Sequence, residues 1–179
     1  MGSLMLLDTA SLYFRAYFGV PDTVRSPDGT PVNAVRGLLD MITRLARARP
    51  PARLVACWDA DWRPAFRVAA VPSYKAHRLA ADGTSEEIPP ELAVQIPVIE
   101  EVLRAAGLAV AGQPGFEADD VIATLAARSA DPVDVVTGDR VRRAGGQGAD
   151  HIVGLEPWLS GDDQPGCQQH LLDQRNLRG

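Results

Sequence analysis

The chain has 179 residues, enough for one domain with a proper core. A hydrophobic content of 46% and a charged content of 23% are ordinary for a globular protein, and no apolar run approaches the length of a membrane span. The net charge of −5 argues mildly against a nucleic-acid partner, but residues 1–81 hold eleven Lys/Arg against six Asp/Glu, and residues 82–179 seven against seventeen.

In chain order, Leu4–Leu7 is a short apolar run closed by Asp8, as a buried parallel strand would be, and it lacks the basic flank of a signal peptide. Residues 33–49 place Val35, Leu38, Leu39, Ile42, Leu45 and Ala46 at helical spacing, with Arg36, Asp40, Arg44 and Arg47 opposite. Pro50-Pro51 stops that helix, and Leu54–Trp58 is a second strand closed by Asp59. Residues 60–90 have no clean period and read as a long excursion from the core, a length that is usually functional or disordered. Leu92, Ile96, Ile99, Leu103 and Ala106 predict another helix, with Pro97 inside it and Gly107 as its C-cap. Leu108–Ala111 is a strand, 118–129 a helix, and Val133–Val136 a strand ending in Thr137-Gly138-Asp139.

Alternating strands and helices predict an α/β fold with a mostly parallel central sheet. Asp8, Asp59 and Asp139 each follow the C-terminal end of a strand, the edge where ligands bind in open α/β sheets. Glu117, Asp119 and Asp120 open a helix that follows a further strand and should face the same edge. Acidic side chains at a helix start favour the macrodipole, by about 0.3–1 kcal/mol each. That accounts for one or two of the three. Six carboxylates on one rim need compensation, and Mg²⁺ or Mn²⁺ with hard oxygen ligands is the economical answer. The charge asymmetry suits an enzyme acting on a polyanion through bound metal. Of eighteen basic residues seventeen are Arg, which makes the single lysine, Lys75, conspicuous.

Taken together, LMLLDTASLYFRAYF (4–18), SPDGTPVNAVRGLLDMI (26–42), LVACWDADWRPAFRVAAVPSYKAHR (54–78), PPELAVQIPVIEEVLRAAGL (89–108), PGFEADDVIATLA (114–126) and VVTGDR (135–140) closely resemble the 5′–3′ exonuclease and flap endonuclease family. The likeness extends to the N-terminal nuclease domain of bacterial DNA polymerase I and its stand-alone relatives. It implies a three-layer PIN-like (resolvase-like) fold and metal-dependent hydrolysis of DNA phosphodiesters from a 5′ end, with two metals as cofactor. Asp8, Asp59, Glu117, Asp119, Asp120 and Asp139 match the family's metal-binding carboxylates. Lys75 and Arg78 match its basic pair over the scissile phosphate, and Arg15 and Arg67 match basic positions that contact phosphate. The excursion at 60–90 matches the arch through which a 5′ single strand passes. Two metals can stabilise the attacking and leaving oxygens of an in-line hydrolysis, and Lys75 or Arg78 would offset charge on the non-bridging oxygens. Tyr74 either stacks on a base or anchors the arch as a hydrophobic residue.

The resemblance stops abruptly. Val141 stands where the family has a second aspartate, and the glycine-rich helix–hairpin–helix that grips duplex DNA is absent. Residues 1–140 therefore read as an incomplete nuclease domain. Residues 141–179 read as an irregular, disordered tail with no packed element beyond Ile152–Leu159, from a shifted frame or a truncation. The second metal site is then in doubt. Two cysteines, Cys57 and Cys167, without partners at zinc spacing give neither a disulfide framework nor a zinc module. Cys57 reads as core, His77, His151 and His170 as incidental, and Trp58 and Trp62 as packing under the arch or stacking on bases. Gly145–Gly148 lacks the context of a phosphate loop, and Arg142-Arg143 reads as a solvated pair. The expected protein is a cytoplasmic monomer, nucleoid-associated, acting on DNA with a 5′ end or flap, with a DNA polymerase as its candidate partner. Two alternatives stay open: a catalytically impaired remnant that keeps weak metal or single-stranded DNA binding, and a PIN-type ribonuclease.

Overall fold

The computed structural model describes residues 2–138 and the backbone of 140–144 and 152–154. Asp139, the side chains of Arg142 and Arg143, Gly145–Gly148, His151, Cys167 and His170 lie outside the described residues. Among the described residues six strands form one sheet in the order β3-β2-β1-β4-β5-β6. These are β1 (Leu4–Asp8), β2 (Arg53–Cys57), β3 (Ala109–Ala111), β4 (Val133–Val136), β5 (Arg140–Ala144) and β6 (Ile152–Gly154). The first four run parallel, β1 lying between β2 and β4. β5 and β6 extend the sheet antiparallel, with Val136 opposite Val141. Where the sequence predicts an irregular tail from residue 141, 141–144 thus pairs as a strand. An antiparallel neighbour needs only a tight turn after β4, not a crossover helix.

Among the described residues six helices accompany the sheet: α1 (Thr9–Gly19), α2 (Asn33–Ala48), α3 (Ala65–Ala70), α4 (Pro90–Ala93), α5 (Gln95–Ala105) and α6 (Ala118–Arg128). Successive residues of β1 point to opposite faces. Met5 and Leu7 join the core beneath α1, α2 and α5, with Leu12, Leu38, Ile42, Ile99 and Leu103. Leu4 and Leu6 join a smaller core with Ala118 and Ile122 of α6. This is the three-layer α/β arrangement predicted.

Periodicity does not mark α1, because Leu12, Tyr13, Phe14, Tyr17 and Phe18 make it apolar almost all round. Asp8 starts it, accepting from the Ser11 amide at 3.2 Å and the Ser11 hydroxyl at 2.5 Å. α1 lies close on α2 at Gly37, where an added Cβ would stand 2.7 Å from Val20 Cγ2 and 2.9 Å from Ala16 Cβ. The helix predicted from Leu92 is two helices, broken at Val94, so Pro97 falls in the first turn of α5, where a missing N–H costs little. No side chain of its own caps α2. Buried Gln95 does so from across the core, its Oε1 accepting from the Ala34 amide at 2.8 Å, while its Nε2 donates to Asn33 Oδ1 at 2.9 Å and to the Glu91 carbonyl at 2.8 Å.

The excursion at 60–90 is folded. α3 and a 3-10 turn (Ala76–Arg78) are followed by a bridge between Leu79 and Glu86, closed by Asp82, which accepts from the Thr84 and Ser85 amides. Arg63 holds the middle of the segment by donating to the Tyr74 carbonyl at 2.7 Å and the Pro72 carbonyl at 3.0 Å. Among the described residues no helix is long and apolar enough to cross a membrane.

Candidate active site

The strand order reverses between β1 and β4, and ligand crevices in α/β sheets open at such a point. Asp8 ends β1 there. Two residues past β4, Gly138 packs against α1 so closely that a Cβ would lie 3.0 Å from the Ser11 carbonyl oxygen. Arg15 donates to the Gly138 carbonyl at 2.6 Å, which commits part of its guanidinium to holding this turn. Asp59, two residues past β2, accepts from the Ala118 amide at 2.6 Å and so caps α6 from a neighbouring loop.

Asp8, Asp59, Glu117 and Asp119 share one electrostatic field. Burial raises the Asp8 carboxyl above its ordinary value, and the charges of Asp119 and Asp59 add to the rise against hydrogen bonds from Ser11. Burial likewise raises Asp59, with Glu117 and Asp119 adding to it while the Ala118 amide and Lys75 oppose. Asp119 is exposed at this rim and Glu117 is buried.

Cations from the excursion answer part of that charge. Lys75 pairs with Glu117 Oε1 and donates to the Trp62 carbonyl at 3.0 Å. Arg67 bridges Glu117 Oε2 at 2.8 Å and Asp120 Oδ1 at 2.5 Å. The Tyr74 hydroxyl donates to Glu117 Oε2 at 2.6 Å, and burial together with that carboxylate pushes its phenol up to about 12. Asp120 also accepts from the Glu117 amide at 3.1 Å, and its Arg67 bond holds it below the usual carboxylate range. Arg78 pairs instead with Glu86, whose carboxyl burial raises. Lys75 is the one described non-glycine residue with positive φ, at 49°. That left-handed conformation costs roughly 1–2 kcal/mol for a residue with a Cβ.

The structure thus brings Asp8, Asp59, Glu117, Asp119 and Asp120 together with Arg67, Tyr74 and Lys75. It turns Arg15 toward the β4 end and Arg78 toward Glu86. Among the described residues no three acidic, histidine or cysteine side chains converge into a ready-made coordination set. Glu117 and Asp120 are instead drawn to Lys75 and Arg67. Of the lesser residues, Cys57 is buried, His77 is exposed, and Trp58 packs on the main core 6.1 Å from the Tyr13 ring. Periodicity and spacing give no hint of Arg63, since its partners are backbone carbonyls.

A model of the 5′-3′ exonuclease N-terminal resolvase-like domain matches residues 3–141. A 5′-3′ exonuclease of Streptomyces coelicolor is 65% identical over 140 residues, covering 76% of this chain and 46% of that protein. One from Mycobacterium tuberculosis is 54% identical over 143 residues, with 76% and 45% covered. A DNA polymerase I of Mycobacterium bovis is 42% identical over 142 residues, with 77% of this chain and 15% of the polymerase covered. The chain spans about half the length of the stand-alone exonucleases it matches. With the carboxylate rim, the parallel sheet and this match over most of its length, the chain belongs to the 5′-3′ exonuclease N-terminal, resolvase-like domain family.

Proposed function

We propose that this chain carries the metal-binding half of a nuclease that hydrolyses DNA phosphodiesters from a 5′ end or 5′ flap. The observation that carries the reading is the placement of Asp8 at the end of β1, of Asp59 just past β2, where it accepts from the Ala118 amide, and of Glu117 and Asp119 at the start of the α6 it caps. Relatives named 5′-3′ exonuclease support the choice of reaction.

The donor set fits a hard divalent cation such as Mg²⁺ or Mn²⁺. It consists of carboxylate oxygens, and burial with mutual repulsion leaves Asp8 and Asp59 short of positive charge. Asp8, Asp59, Asp119 and Asp139 would hold the cation, with Glu117 and Asp120 joining on release from Lys75 and Arg67. When bound, such an ion lowers the pKa of its water and offsets charge on phosphoryl oxygens. The chain's own residues do the rest. The Asp8 and Asp59 capping bonds hold those carboxylates in place through α1 and α6. Lys75 and Arg67, which pair with Glu117, would offset charge on a bound phosphate, and Arg78, which pairs with Glu86, would join them on release. The DNA polymerase I relatives support a polymerase as partner. A cytoplasmic monomer working on the nucleoid completes the reading.

The test is Mn²⁺-dependent cleavage of a 5′-labelled flap duplex by residues 1–179 beside the Asp119→Ala variant. Cleavage lost in the variant supports the reading. Absence of cleavage by folded wild type rejects it for this chain.

A further inference from the structure

Three consecutive residues at the start of the excursion each hold a different part of the site. The Asp61 amide donates to the Phe116 carbonyl at 3.1 Å, which ties the excursion to the residue before Glu117. The Trp62 carbonyl accepts from the Lys75 ammonium at 3.0 Å. The Arg63 guanidinium donates through Nε to the Tyr74 carbonyl at 2.7 Å and through Nη2 to the Pro72 carbonyl at 3.0 Å. Asp61 Oδ1 accepts from the Arg63 amide at 3.0 Å, so the backbone that carries this fork is itself anchored.

The Tyr74 carbonyl belongs to the peptide group that leads into Lys75. Its direction helps to set φ of Lys75, which is 49°. A left-handed backbone persists in a residue with a Cβ only where the surroundings over-determine it. The turn's own bonds run from the Tyr74 amide to the Val71 carbonyl at 2.9 Å and from the Ala76 amide to the Ser73 carbonyl at 3.1 Å. They leave the Tyr74 and Pro72 carbonyls to an outside donor, and Arg63 is that donor. A planar guanidinium reaches two acceptors at once in a fixed geometry, which an ammonium does not match. The Arg63 donors are thus directed at backbone, whereas the Lys75 ammonium points to Glu117.

We propose that Arg63 is a positioning residue for the reaction: by holding the Pro72 and Tyr74 carbonyls it keeps Lys75 in the turn from which its ammonium reaches the crevice. The proposal rests on the nuclease reading, in which Lys75 offsets charge on a bound phosphate, and it names the residue that sets where that charge stands.

Lys75 is the only lysine of the chain, so residues 1–179 produced with 13C-lysine give NMR side-chain signals from Lys75 alone. The methyl signals of Ile99 and Ile122 report the two cores. In EDTA, Arg63→Met should move the Lys75 signals toward their denatured positions while both isoleucine signals stay as in wild type. With Mn²⁺ and a 5′ flap duplex, the same variant should cleave about tenfold to a hundredfold more slowly in single turnover, with half-saturation unchanged. Lys75→Met/Arg63→Met should be no slower than Lys75→Met alone, because residues that act through one group do not add.

Unmoved Lys75 signals, or losses that add in the double variant, would overturn the proposal. If Arg63→Met loses the isoleucine signals, Arg63→Gln, which keeps a donor for one carbonyl, gives the same readings. Loss of those signals in both variants would make Arg63 a folding residue and overturn the proposal too. Folded wild type that does not cleave would overturn the nuclease reading and the positioning role with it, an outcome distinct from the others.

Discussion

The ammonium of Lys75 is paired with the carboxylate of Glu117, and Lys75 makes that pair from a left-handed backbone. Lys75 is one of three groups that converge on this buried glutamate, with Arg67 and Tyr74. Glu117 is therefore the point at which the excursion is fastened to α6. Replacing it by Gln keeps the shape but removes the charge that holds both cations. Glu117→Gln should cost about 1–3 kcal/mol and make Arg67, Lys75 and Arg78 faster trypsin sites than Arg36 or Arg104. Limited proteolysis read by mass spectrometry checks this, and an unchanged cleavage order would show that the excursion is held elsewhere.

Asp8 should destabilise the metal-free protein at neutral pH. Its carboxyl is raised by burial and by Asp119 and Asp59, so it holds its proton more tightly folded than unfolded. The stability this contributes is present below the unfolded-state value, is lost as pH rises through the folded-state value, and stays lost above it. Asn at position 8 keeps an oxygen to accept from the Ser11 amide but carries no charge. In EDTA, Asp8→Asn should melt a few degrees above wild type near pH 7, with the gap closing toward about pH 4. Parallel melting curves across that range would contradict the assignment.

The α1–α2 crossing has no room for a methyl group at Gly37. Gly37→Ala should destabilise by about 1–3 kcal/mol through overpacking against Ala16 and Val20, even though Ala is the better helix former by about 1 kcal/mol. Urea denaturation gives the sign, and a stabilised variant would mean that α1 shifts without cost.

Cys57 is buried in the strand before Asp59, and burial with the Asp8 charge pushes its thiol up to about 12. A neutral, covered thiol is inert. Iodoacetamide at about pH 8 should leave Cys57 unmodified in the native protein and alkylate it after denaturation, as peptide mass mapping would read. Labelling of native protein would mean that β2 opens readily.

Several elements were legible because their signals are local. Short apolar runs closed by Asp8 and Asp59, and the acidic start of α6, are consecutive residues whose places on a sheet edge follow from strand direction alone. α1 escaped because an apolar residue on nearly every face leaves no period to detect. The division at Val94 escaped because α4 and α5 continue one another's hydrophobic spacing. The strand at 140–144 escaped because its pairing depends on β4 rather than on its own composition.

The amino-acid sequence by itself determined which residue types meet at the sheet edge: a strand that ends in aspartate delivers that aspartate to the rim whatever else the chain does. Only the tertiary structure decided how those charges are answered. Lys75 and Arg67 reach Glu117 across more than forty residues, Gln95 caps a helix sixty residues away, and Phe66 meets Phe116 across fifty. Such partnerships depend on the direction a side chain takes after the backbone has folded. Burial then sets their strength, because a carboxylate withdrawn from water attracts whichever cation the fold has brought nearest.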